Sequence, residues 1–162
     1  MPDLEFEQVK AKVQGSGVRL MNELLVFKTN YWIVSHRSDS QYPGYLIVSS
    51  SEETNDFHKL NSESLNELGS VLCATEKLLI SVYSPYKVIM SKLGFSKGFS
   101  CHFHVLPITE SLLQQIVKHP NYTKNEPDGN DAMLFVSREY CEQILEKKQQ
   151  EIIIQEVIRL RE

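Results

Sequence analysis

Ser100-Cys101-His102-Phe103-His104-Val105-Leu106-Pro107 places two histidines two positions apart in an apolar alternation that a proline closes. Along an extended strand successive side chains point to opposite faces. Ser100, His102 and His104 then share one face, and Cys101, Phe103 and Val105 share the other. The second set has the character of a core face. The first sets two imidazoles side by side where a purely structural strand has no use for them.

The surroundings of this strand fix its partners. Tyr86–Leu93 is a strand by composition, and Gly94-Phe95-Ser96-Lys97-Gly98 is a glycine-bounded turn, so the two strands form a hairpin. Further upstream, Leu24–Lys28 and Tyr31–Ser35 are rich in β-branched and aromatic residues and are separated by Thr29-Asn30, a second hairpin. A polar loop over residues 36–41 and the Tyr42-Pro43-Gly44 punctuation lead into a further strand, Tyr45–Ser49. Residues 62–83 form the clearest helix. Asn61 can cap it, Leu65, Leu68, Leu72, Leu79 and Val82 recur at helical spacing, and Ser84-Pro85 ends it. Residues 3–14 have the spacing of a short amphipathic helix ended by Gly15-Ser16-Gly17.

Downstream, Ser111–Lys118 reads as a short helix, residues 119–130 as a surface loop and Ala132–Ser137 as a last strand. From about Arg138 to Arg161 the propensity is helical. The Ile152-Ile153-Ile154 and Val157-Ile158 cluster there suits either packing on this chain's own sheet or a contact between two copies. Strands, one long helix, then more strands predict an α+β fold with an antiparallel sheet.

Composition bounds the rest. The 162 residues are expected to form a single domain, with 41% hydrophobic and 23% charged residues as in an ordinary globular protein. A net charge of −4 disfavours a broad nucleic-acid surface while allowing a small basic pocket. Cys73, Cys101 and Cys141 are distant and odd in number, which predicts free thiols in a reducing cytoplasm. The acidic N-terminus lacks a signal peptide's apolar core, and no apolar run approaches the ~20 residues of a membrane span.

Four roles compete for His102 and His104. They could be satisfied, partly buried core histidines. They could supply two metal ligands, although no third ligand stands in a ligand-like motif. A neutral imidazole could attack a phosphate as a nucleophile, with the second imidazole, Ser100, Lys97 and the N–H groups around Gly98 neutralising the phosphate oxygens. The same pocket could instead only bind a nucleotide.

The run His102-Phe103-His104-Val105-Leu106-Pro107 resembles the end of the signature of the histidine triad (HIT) proteins, His-φ-His-φ-His-φ-φ, where φ is apolar. Tyr42-Pro43-Gly44-Tyr45-Leu46-Ile47-Val48 is similar to their Pro-Gly-His-φ-φ-φ strand. Leu60-Asn61-Ser62-Glu63 and Glu67-Leu68 resemble the start of their long helix, and Pro127-Asp128-Gly129 followed by a strand and Arg138-Glu139 resembles the end of one branch. The resemblance spans about residues 20–142, with the helix over 3–14 and the helical extension over 138–161 outside that core. It implies an α+β fold, usually a homodimer; no cofactor or metal is expected. It further implies a nucleoside-phosphate pocket and hydrolysis or transfer at the α-phosphate of a dinucleoside polyphosphate or nucleoside phosphoramidate. His102 takes the place of the nucleophile that becomes nucleotidylated, and His104 that of a phosphate contact.

Three departures stand out. Ser100 occupies the place of the first triad histidine, and a hydroxyl can donate to a phosphate oxygen but cannot carry a proton as imidazolium does. After the Pro-Gly strand, Ser49-Ser50-Ser51-Glu52-Glu53 replaces a basic residue and a histidine. Histidine triad proteins often place an Asn or Asp on the ribose six residues before the Pro of Pro-Gly; that position is Arg37 here, or Asp39 with a gap of one or two residues.

Overall fold

Five antiparallel strands form one sheet in the order β1-β2-β3-β5-β4. They are β1 (Leu25–Lys28), β2 (Trp32–His36), β3 (Leu46–Ser50), β4 (Lys87–Ser91) and β5 (His102–Ile108). Among the described residues they are accompanied by the α-helices α1 (Ser62–Tyr83), α2 (Glu110–Lys118), α3 (Gly129–Glu139) and α4 (Lys147–Arg161). The computed structural model describes residues 21–122 and 126–162; the helix expected over residues 3–14 lies outside them.

The expected strands other than Ala132–Ser137 are present, as are both hairpins. Thr29 closes the first, its N–H donating to the Trp32 carbonyl at 2.8 Å and its hydroxyl oxygen accepting from the Trp32 N–H at 3.1 Å. The Glu67 carboxylate then accepts from the Thr29 hydroxyl and the Tyr31 N–H, which ties α1 to this turn. Asn61 caps α1 by accepting from the Ser64 N–H at 2.7 Å.

Each sheet face has its own cover. Trp32, Val34, Leu46, Val48 and Val105 pack against Leu68, Val71 and Leu79 of α1 and Ile153, Val157 and Leu160 of α4. On the opposite face Tyr45, Leu106 and Ile108 pack against Leu112 and Ile116 of α2 and Phe135 and Val136 of α3. Period-2 alternation along β3 and β5 sorts the residues between the two cores.

Three expectations need correction. Ala132–Ser137 lies within α3 and is no strand. Asp128 accepts from the Asn130 and Asp131 N–H groups, and the Asp131 carboxylate accepts from the Asp128 N–H, a reciprocal cap that commits the following residues to a helix. The helical C-terminal stretch is broken: α4 starts only at Lys147. Its Ile153 and Val157 pack on this chain's own core, while Ile152 and Ile158 are exposed. The buried stripe of α1 is Ser64, Leu68, Val71, Thr75 and Leu79, and Leu65 is exposed. The Ser64 carbonyl anchors that stripe to the sheet by accepting from the Trp32 indole N–H at 2.9 Å, and the buried Thr75 hydroxyl is satisfied within the helix by donating to the Val71 carbonyl.

Cys101 and Cys141 are buried, Cys73 is exposed, and all three are free thiols. No helix among the described residues is long and apolar enough to cross a membrane.

Candidate functional site

β5 runs between β3 and β4, so its residues have neighbours on both sides. Ser49 lies opposite His102, and Ile47 and Ser91 lie opposite His104. Side chains in register share a face, so His102 and His104 look out with Ile47, Ser49 and Ser91 on the half of that face which α2 and α3 leave uncovered. The two imidazole rings stand 5.1 Å apart, tilted 65° to one another.

The strand before the histidines is held from its other edge. The Cys101 N–H donates to the Thr54 carbonyl at 2.6 Å, and the Ser50 N–H donates to the Cys101 carbonyl at 2.8 Å. Nδ1 of His102 lies 2.8 Å from the Ser100 carbonyl. A carbonyl only accepts, so Nδ1 carries a proton, and in the neutral ring Nε2 then keeps its lone pair. That nitrogen can attack an electrophile without first losing a proton.

His104 is more deeply set, 9% exposed against a half-buried His102. Burial, then the neighbouring His102 and the Arg37 charge, lowers its pKa to about 4, so it is neutral at pH 7. Its Nδ1 lies 3.0 Å from Oη of Tyr45, and that hydroxyl accepts from Nη1 of Arg37 at 3.1 Å. Arg37 also donates from Nε and Nη2 to the two carboxylate oxygens of Asp39 at 2.6 and 3.2 Å, and its guanidinium lies over the Tyr45 ring. Burial raises the Asp39 pKa less than the Arg37 hydrogen bonds and charge lower it, so the carboxylate stays ionised.

The six residues expected at the site are not equally placed. His102 and His104 are adjacent, and Ser100 meets His102 through its carbonyl. Arg37 reaches the pair through Tyr45. Lys97 and Gly98 lie in the exposed loop between β4 and β5, where Gly98 has a φ of +87° that favours glycine. Phe99 of the same loop packs its ring edge-on against His102.

Sequence reasoning missed Tyr45 and Ser91. Tyr45 stands where the Pro-Gly signature carries a histidine, which was the available signal. Ser91 had none: only pairing of β4 with β5 puts its hydroxyl beside His104, where it is buried without a hydrogen-bond partner among the described residues. Among the described residues no group of three or more His, Cys, Asp and Glu could hold a metal ion.

A five-stranded antiparallel sheet with a long helix on one face and a histidine pair on the strand beside the edge is the architecture of the histidine triad proteins, and this chain has that fold. It superposes on the Hit-like protein involved in cell-cycle regulation from Bartonella henselae with a TM-score of 0.55 and 13% identity, over 88% of this chain and 91% of that one. The C. elegans NitFhit protein matches with a TM-score of 0.56 and 11% identity, over 86% of this chain and 27% of that one. The Plasmodium falciparum diadenosine triphosphate hydrolase matches with a TM-score of 0.53 and 10% identity, over 86% and 74% of the two chains. No protein-family model and no curated protein matches the sequence.

Proposed function

We propose that this chain is a nucleotide hydrolase or transferase that works through a nucleotidyl-histidine. The observation that carries the reading is the bond from Nδ1 of His102 to the Ser100 carbonyl, which leaves the Nε2 lone pair of a half-buried imidazole available beside His104. Nε2 attacks the α-phosphate of a nucleoside phosphate and forms a P–N bond as the bond to the leaving group breaks. Water then attacks the same phosphorus, the P–N bond breaks, and the nucleoside monophosphate leaves with Nε2 free again.

His104, the Ser100 hydroxyl, Lys97 and the Gly98 backbone contact the phosphate. The Arg37–Asp39 pair, with side chains 18% and 41% exposed, meets the ribose. The substrates in this reading are dinucleoside polyphosphates or nucleoside phosphoramidates. The protein works in the cytoplasm as a homodimer, for which the edge strand β4, with Met90 exposed on it and Tyr86 and Leu93 exposed beside its ends, offers a surface.

The test is a rapid quench of the protein mixed with adenosine phosphoramidate or a diadenosine polyphosphate, followed by mass spectrometry. A one-nucleotide adduct on His102 is expected. Turnover by His102→Ala at the wild-type rate would sink the mechanism.

A second reading, nucleotide binding without turnover, draws on Ser100, which cannot supply the proton that an imidazolium supplies. Saturable AMP binding with neither adduct nor hydrolysis across both substrate classes favours it.

A further inference from the structure

The contacts around Tyr45 define the state of the imidazole next to the nucleophile, and the use made of that state rests on His104 being a phosphate contact. A guanidinium has only donors. The 3.1 Å contact from Nη1 of Arg37 therefore occupies a lone pair of the Tyr45 hydroxyl. That hydroxyl has one proton, and Nδ1 of His104 lies 3.0 Å away. Directed to Nδ1, that proton makes Nδ1 the acceptor and leaves the ring proton of His104 on Nε2.

The Arg37–Tyr45 contact is supported by the backbone. Arg37 follows β2 and Tyr45 precedes β3, and the Arg37 N–H donates to the Tyr45 carbonyl at 2.8 Å, which extends the ladder between those strands. Asp39 grips the guanidinium at two points, so its remaining edge cannot turn away from Tyr45 without breaking a bidentate pair. The charged and titratable groups acting on His104 are His102, Arg37 and Asp39, and the Tyr45 ring packs edge-on against it.

We propose that Arg37 and Tyr45 are positioning residues that hold His104 as the neutral Nε2–H tautomer, a hydrogen-bond donor to the substrate phosphate. The two neighbouring imidazoles are then locked in opposite tautomers. A backbone carbonyl gives His102 a proton on Nδ1 and a lone pair on Nε2, and a tyrosine hydroxyl does the reverse to His104. The first can attack; the second has no lone pair on the same nitrogen and can only donate. Substitution of a hydroxyl for the expected histidine after Pro-Gly thus preserves the division of labour by other means.

The decisive measurement is the ring 15N spectrum of labelled protein at pH 7 without substrate. His104 is expected to show a pyrrole-type Nε2 and a pyridine-type Nδ1, and His102 the opposite. In Tyr45→Phe the His104 signals are expected to move to a tautomer mixture, and kcat to fall about tenfold with the His102 adduct still forming. A wild-type His104 carrying its proton on Nδ1 overturns the proposal. So does a Tyr45→Phe protein, folded by its thermal transition, whose His104 remains wholly Nε2–H. Because the tautomer is read without substrate, a protein that shows the expected tautomers but turns nothing over refutes the proposed function alone. Turnover with the wrong tautomer refutes the positioning role alone.

Discussion

The two faces of the sheet are built from the same strands and do opposite things. Toward α1 and α4, Phe103, Val105, Leu46 and Val48 enter a continuous apolar core. Toward α2 and α3 the cover is incomplete: Leu106 and Ile108 are sealed, whereas His102 and His104 are left at an opening floored by Ile47, Ser49 and Ser91. The lesson is that β5 needs no loop or insertion to present its chemistry. Alternation delivers a histidine to the open face each time it delivers an apolar residue to the closed one, and the closed face sets the rigidity with which the histidines are held.

The comparison breaks most severely at His102. His102→Ala should lower turnover by more than about 10⁴-fold, because the covalent route is removed rather than one proton transfer, and should change stability by under about 1 kcal/mol. Steady-state kinetics beside urea denaturation check both halves. Leu79→Ala is the mirror experiment. Leu79 is fully buried on the closed face, so the truncation should cost about 3 kcal/mol of stability and leave kcat of the folded protein unchanged. If each variant moved both quantities strongly, the faces would not be separable.

Acid should act on a buried histidine of each face. The His104 pKa of about 4 lies below the value near 6.5 of an unfolded histidine, and burial lowers His36 in the same direction. The unfolded chain therefore binds more protons between those values. Stability from His104 is complete above about pH 6.5 and is lost as pH falls toward 4, a difference of about 2 kcal/mol once solvent at the ring edge is allowed for. Urea midpoints at pH 7 and 4.5 should lie further apart in the wild type than in His104→Gln, which lacks that contribution.

The closed face was largely legible because it is written in local pattern. All five strands, α1 with its Asn61 cap and the histidine alternation could be read from periodicity and turn residues. α3 could not, since Ala132-Met133-Leu134-Phe135-Val136-Ser137 has the apolar, β-branched look of a strand. Its outcome turns on two aspartates that cap in reciprocal fashion at Asp128 and Asp131. On the open face, His102 and His104 were legible, but what surrounds them was not. Tyr45 is 59 residues from His104 in sequence, and Ser91 meets it through strand pairing. Such contacts depend on register, which composition does not encode.

The mildest perturbation tests whether the closed face truly works at a distance from the chemistry. Asn61 accepts from the Ser64 N–H at the start of α1, and Ser64 is where the helix receives the Trp32 indole N–H. Asn61→Ala leaves an N–H of the first turn without its partner, which costs about 1 kcal/mol. The loss falls on the end of α1 that anchors β2, and β2 is linked to the histidines through β3, through the Trp32–Phe103 ring contact and through the Arg37 contacts beyond its end. A lower melting temperature with unchanged kcat and unchanged His104 ring shifts is expected. A shift in the His104 ring nitrogens without a change in kcat would instead show that strain at the cap travels through β2 to the Arg37–Tyr45 relay, and the two faces would have to be treated as one mechanical unit.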